Sequence, residues 1–204
     1  MKVGFGTIIK NALVLFAITL VAGLALGFVY QMTKEPIAAQ EREAQRLANQ
    51  AVFPAAADFS DELPLDEGVA AQLAGDATYG KVSIISAKKA LDAAGQGIGY
   101  CVQVSNKGYG DKIVFTVGIS NEGQIGGISI VSINETPGLG MNANKVLVPQ
   151  FTDKPAGVFA VTKSAASSSS EIEAISGATI TSRAIVNGVN AAVAYFDQVL
   201  KGGT

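Results

Sequence analysis

The chain opens with one long apolar stretch. From Ile8 to Tyr30 it reads IIKNALVLFAITLVAGLALGFVY, and no charge falls between Ala12 and Tyr30. Those nineteen residues, at ~1.5 Å rise each, span roughly 28 Å, close to the hydrocarbon thickness of a bilayer. The run exceeds the ~7–15 apolar residues of a signal peptide, and no small-x-small cleavage pattern precedes a polar start. The pattern predicts an uncleaved, single-pass transmembrane helix. Residues 35–52 (EPIAAQEREAQRLANQAV) then turn to Ala, Gln, Glu and Arg. They predict a helix leaving the membrane, with Pro36 in its first turn and Glu41, Arg42, Glu43 and Arg46 on a solvated face. Residues 53–80 mix acidic residues with Pro54, Pro64, Gly68 and Gly75. They read as turns and one short helix, with no function attached.

From Lys81 the texture becomes that of strands. KVSIISAKKA, GIGYCVQVS, KIVFTVGIS and QIGGISIVSI are rich in Val and Ile, and Asn121-Glu122-Gly123 joins the last two as a hairpin. Residues 164–171 (SAASSSSE) are small and polar and read as a loop that closes the β region. Helical spacing returns from about Thr181 to Leu200, with Ile185, Val189, Val193, Phe196 and Leu200 on one stripe and Gly202-Gly203 as a stop. The expected fold class is α+β: one N-terminal transmembrane helix, then a domain with an antiparallel sheet and flanking helices. The expected divisions are 1–30 for a cytoplasmic N-terminus and anchor, 31–80 for a membrane-proximal helix and connecting segment, and 81–204 for the main domain.

Composition narrows the chemistry. Only 7% of residues are aromatic, none is tryptophan and 23 are glycine, which suits sheets with tight turns. The 15 Lys+Arg and 17 Asp+Glu are scattered rather than gathered on a basic face, so nucleic acid is not an expected partner. Histidine is absent, which removes the commonest general base and metal ligand, and no metal site is expected. Cys101 is the only cysteine, which excludes an intramolecular disulfide or a thiolate cluster; within Gly99-Tyr100-Cys101-Val102 it reads as a core thiol. Lys2 and Lys10 precede the membrane stretch, while Lys34 and Glu35 nearly cancel after it. The positive-inside rule therefore expects a cytoplasmic N-terminus and a C-terminal domain on the outer, periplasmic or extracellular, side of the cell membrane.

Before the last helix lies Ser176-Gly177-Ala178-Thr179-Ile180-Thr181-Ser182. This segment reads in two ways. Its hydroxyls either cap the helix, or the helix amides and small residues receive a phosphate. About 40 residues earlier stands Glu135-Thr136-Pro137-Gly138-Leu139-Gly140, a turn with Leu139 as a candidate core residue. Lys107-Gly108-Tyr109-Gly110 is a hairpin turn on its own.

Together these segments resemble the FMN-binding domains of the RnfG and NqrC subunits. Glu173-Ala174-Ile175-Ser176-Gly177-Ala178-Thr179 is similar to the family's flavinylation motif, with Glu173 where the family often has aspartate. The resemblance implies FMN esterified through its phosphate to Thr179, by a separate flavin transferase that uses FAD. It also implies cofactor contacts from Ser176, Gly177, Ala178, Thr181 and Ser182, from Glu135, Thr136, Gly138, Leu139 and Gly140, and from Tyr109 and Gly110 in the glycine-rich turn. No catalytic acid or base is implied. A chain of 204 residues is similar to RnfG in length, which implies a subunit of an ion-translocating ferredoxin:NAD oxidoreductase (Rnf) complex, partnered by other membrane subunits and by lipid. The alternatives are an NqrC-like subunit of a Na+-translocating NADH:quinone reductase, a stand-alone extracellular electron shuttle, and an anchored binding or assembly module without cofactor.

Overall fold

The structure, a computed structural model, describes residues 5–202, so Lys2 and Gly203 lie outside the described residues. The chain divides into two compact units, Met1–Glu43 and Ala44–Thr204.

Helix α1 runs unbroken over Phe5–Val52, 48 residues, with Pro36 inside it. Residues 35–52 are helical as expected and continue the membrane helix, with Pro36 in its interior rather than in a first turn. An interior proline removes one backbone hydrogen bond and costs about 3 kcal/mol, which strong helix formers on both sides can absorb. Its most apolar window has a mean hydropathy of 2.6 and none of it is buried within the chain. Leu13, Leu15, Phe16, Leu24, Leu26 and Phe28 are all exposed. An all-round apolar surface of this length fits a single-pass membrane anchor.

In the second unit, β1 (Asp58–Phe59), β2 (Ser83–Leu91), β3 (Gly97–Lys107), β4 (Lys112–Ser120), β5 (Gln124–Ser132) and β6 (Lys154–Pro155) form one sheet in chain order. Every neighbouring pair is antiparallel. The β4–β5 turn closes through Gly123 at φ 78°, a conformation that favours glycine. Lys107 pairs with Lys112, which leaves 108–111 as the tip of the β3–β4 hairpin.

The four strands read from the sequence are β2 to β5. Strand β3 is buried at every residue from Gly99 to Asn106, and since successive side chains point to opposite faces, both faces are covered. One face receives α4 (Thr179–Tyr195), whose Ile185, Val189 and Val193 share a core with Val102, Val104, Phe115 and Val117. The other receives the last turns of α1, where Val52 and Phe53 cluster with Ala56, Ala90 and Cys101. Glycine makes both approaches possible. A Cβ on Gly118 would stand 2.8 Å from Val52 Cβ, and one on Gly188 would stand 2.6 Å from Phe115 Cζ.

The short helix expected within 53–80 is present, and several further elements are absent from the sequence reading. Within 53–80, α2 (Glu67–Gly75) is capped by Asp66 Oδ1, which accepts from Val69 N at 3.0 Å, and it buries Leu73 in the main core. After β5 come α3 (Ala143–Val146) and two 3-10 turns, Gly140–Asn142 and Val148–Phe151. The serine-rich loop does not end the β structure, because β7 (Ala160–Thr162) and β8 (Glu171–Glu173) pair in parallel around it. Lys154 Nζ donates to Ser169 O at 2.7 Å and Glu171 O at 3.0 Å, and desolvation holds its pKa below the usual lysine range. Helix α4 starts two residues earlier than Thr181, and Phe196–Leu200 continues it as a π turn.

Gly188→Val should lower stability by about 1–3 kcal/mol, because the new side chain must displace Phe115 in a packed core. Denaturant titration should report a lower midpoint at unchanged slope; an unchanged midpoint would mean that α4 does not press on β4 as described.

Candidate functional site

Three segments converge at one end of the sheet: the hairpin tip 108–111, the loop 133–142 that leaves β5, and residues 173–182 leading into α4. They enclose a cleft of about 490 Å3 lined by Tyr109, Glu135, Thr136, Leu139, Gly140, Gly177, Ala178, Thr179, Ile180 and Thr181. Nine of these were singled out in the sequence. Ile180 was not, although an apolar residue between two threonines at a helix start, here 55% exposed, was a readable signal. Gly138 and Ser176 instead line an adjoining cleft of about 630 Å3, with Asn142, Val146, Lys163 and Glu173. Thr179 and Gly177 belong to both. Gly110 lines neither cleft but donates its N–H to Glu135, and Ser182 is fully buried.

Glu135 organises the wall. It is 6% exposed, its Oε1 accepts from Gly110 N at 3.0 Å and its Oε2 accepts from Thr181 Oγ1 at 2.7 Å. A Cβ on Gly108 would overlap Oε1, and one on Gly140 would stand 2.8 Å from Oε2. Small residues are therefore what let hairpin, loop and helix close around one carboxylate. Gly177 has φ 77°, and a Cβ there would stand 3.1 Å from Leu139 Cδ2. Leu139 itself is 39% exposed and lines the cleft. The reading of Leu139 as core is thus corrected: the turn through Gly138, at φ 77°, aims it at the opening rather than inward.

At the start of α4 none of the hydroxyls in 176–182 serves as a cap. The N-cap residue is Ala178, and no side chain caps the helix. Ser182 sits inside the first turn, where its Oγ donates to Ala178 O and accepts from Ile175 N, both at 3.0 Å. It fastens the preceding loop and does not cap. Thr181 is turned to Glu135, and Ser176 is exposed. The first amides of a 17-residue helix therefore carry no side-chain acceptor, and the half-buried Thr179 hydroxyl stands among them. Such an end attracts an anion. Tyr109, Leu139 and Ile180 supply apolar surface beside it.

Among the described residues neither a lysine nor an arginine lines this cleft, and Lys163 is the cation of the adjoining one. Among the described residues, too, no cluster of His, Cys, Asp and Glu is arranged to hold a metal ion. Burial pushes the Cys101 thiol up to about 12, against a small opposing pull from Lys88.

Residues 108–194 match the FMN-binding domain family and residues 1–52 match the RnfG N-terminal region. The first match contains every residue that lines the cleft. The chain is 33% identical over 204 residues, 98% of its length and 97% of the relative's, to the G component of the Na(+)-translocating ferredoxin:NAD(+) oxidoreductase complex of Acetobacterium woodii. It is 44% identical over 117 residues, 55% of its length and 63% of the relative's, to the G component of the proton-translocating ferredoxin:NAD(+) oxidoreductase complex of Clostridium ljungdahlii. It is 31% identical over 204 residues, 94% of its length and 89% of the relative's, to the G component of the ion-translocating oxidoreductase complex of Pseudomonas aeruginosa. Among solved structures, NqrC of Shewanella oneidensis is similar at a TM-score of 0.47 and 18% identity over 72% of each chain.

With its thiol at about 12 and buried, Cys101 should resist maleimide in the folded protein at pH 8 and react only on denaturation. Stoichiometric labelling of the native protein would contradict this placement.

Proposed function

We propose that this chain, which belongs to the RnfG family of ion-translocating oxidoreductase subunits, holds one FMN esterified to Thr179 and carries electrons in a membrane-bound Rnf complex. The observation that carries the reading is the uncapped start of α4, which presents the Thr179 hydroxyl and unpaired amides to a cleft. The residues present fit the group. A cleft of about 490 Å3 lies within the ~300–1,000 Å3 of ligand pockets, and its lining is apolar with a few convergent polar groups.

Thr179 supplies the ester oxygen, and the backbone of Ser176, Gly177 and Ala178 leaves room for a phosphate. Tyr109, Leu139 and Ile180 offer apolar surface to the flat ring, while Thr136, Gly138 and Gly140 shape the loop beside it. Thr181, in the wall, and Gly110 hold Glu135 in place, and the buried Ser182 fastens the loop before α4. When bound, FMN supplies the electron chemistry, and the protein contributes binding, orientation and electrostatics. The chain has no histidine, and both oxygens of Glu135 are already engaged. No base is therefore placed to activate Thr179, which supports attachment by a separate flavin transferase.

Helix α1 anchors the domain in the lipid of the cell membrane, with its short N-terminal end in the cytoplasm and the rest outside. Partners are the other membrane subunits of the complex, as the names of the relatives indicate.

Coexpressed with its transferase, the wild-type protein should be heavier by one esterified FMN and fluoresce in denaturing gels. Thr179→Val should abolish that fluorescence with circular dichroism unchanged, whereas Thr181→Val and Ser182→Ala should retain it. The Ser182 variant should lose about 1–3 kcal/mol, since Ile175 N is left buried without a partner. Fluorescence that survives in Thr179→Val would assign the ester to another hydroxyl. For orientation, Lys201→Cys, at an exposed position, should react with an impermeant maleimide added from outside whole cells; reaction from the cytoplasmic side alone would reverse the topology.

A further inference from the structure

Among the described residues Glu135 is the only carboxylate lining the α4 cleft, and no lysine or arginine lies within ion-pairing distance of it. The charged groups around it are otherwise engaged or turned away. On the hairpin, Lys107 approaches Asp111 at 4.0 Å and donates to Gly110 O at 2.9 Å, and Lys112 is exposed beyond Tyr109. On α4 the first charged residue is Arg183, which is exposed. The loop 133–142 carries no other charge. The two carboxylate oxygens of Glu135 accept from Gly110 N and from Thr181 Oγ1. A largely buried carboxylate thus stands in the wall with two hydrogen bonds and, among the described residues, no cation paired with it.

A charge that arrives in the cleft feels this carboxylate strongly, because water is largely excluded between them. We propose that Glu135 sets the electron affinity of the FMN site: its fixed charge opposes the charge added on reduction and holds the reduction potential low. This rests on the FMN reading of the cleft. Across a cleft of this size, at the effective dielectric constant of about 20 that describes such sites, the effect on a one-electron equilibrium exceeds about tenfold. Tenfold corresponds to about 59 mV for one electron.

Glu135→Gln separates charge from shape. Its carbonyl oxygen still accepts from Gly110 N, and its amide can donate to Thr181 Oγ1, so the three segments stay tied. Glu135→Asp keeps the charge and shortens the reach. Redox titration of the full-length, flavin-loaded protein in detergent should give Glu135→Gln a midpoint at least about 59 mV above wild type, and Glu135→Asp a midpoint near wild type. In-gel fluorescence reports attachment independently. A loaded Glu135→Gln protein with an unshifted or lowered midpoint overturns the proposal and leaves the FMN reading intact. Failure of Glu135→Gln to load, alone or together with Glu135→Asp, also overturns it, because the carboxylate then serves attachment. A wild-type protein without flavin would instead sink the FMN reading itself.

Discussion

The two hydrogen bonds accepted by Glu135 tie together segments that lie far apart in the chain. The hairpin tip at Gly110, the loop that begins at Glu135 and the first turn of α4 at Thr181 share no local structure. They meet because the antiparallel meander brings the β3–β4 tip and the exit of β5 to one end of the sheet, while α4, packed along the core face, brings its N-terminus to the same end. A carboxylate with two acceptor oxygens can join two such donors at once, and an apolar side chain cannot.

Close approach is the second constraint, and it explains the unusual composition. Both faces of the sheet are covered by helices that come nearer than ordinary side chains permit. Val52 of α1 rests on Gly118 and Gly126, and Phe115 of β4 presses into the space at Gly188 of α4. The same economy of side chains opens the site, where Gly108, Gly140 and Gly177 leave room for Glu135 and Leu139. A chain with 23 glycines and 7% aromatic residues is therefore built for near contact between backbones rather than for bulky packing. That architecture suits a subunit whose chemistry comes from a bound cofactor. Such a protein needs a shaped, electrostatically defined cleft more than an acid or base of its own, and the absence of histidine is no obstacle.

Much of this was readable without coordinates. The uncharged run from Ala12 to Tyr30 specified an anchor, because crossing hydrocarbon demands length and apolarity and nothing else. The alternating Val and Ile runs specified β2 to β5, and the stripe Ile185, Val189, Val193, Phe196 and Leu200 specified the buried face of the last helix, because periodicity directly records which side of an element leaves water. The motifs around Thr179 and Glu135 pointed to an FMN domain of the RnfG kind, and the relatives agree. Short elements escaped: α3, β1, β6 and the pair β7–β8 are too brief for a period to emerge, and they exist through contacts with the larger core.

The use of each hydroxyl and the direction of Leu139 were left to the tertiary structure. Ser176, Thr179, Thr181 and Ser182 are equivalent as candidates for a cap, and sequence spacing cannot rank them. Folding assigns them through partners elsewhere, with Ser182 bonded to Ile175 N, Thr181 to Glu135 and Thr179 facing the cleft. Leu139 reads as core in isolation because apolar residues usually are, yet the left-handed turn at Gly138 and the contact with Gly177 turn it to the cleft. Sequence determined which segments are dense in hydroxyls and glycine, since composition and period are local. Tertiary structure decided which atom is left free, since a hydrogen-bond partner 46 residues away leaves no mark on local spacing.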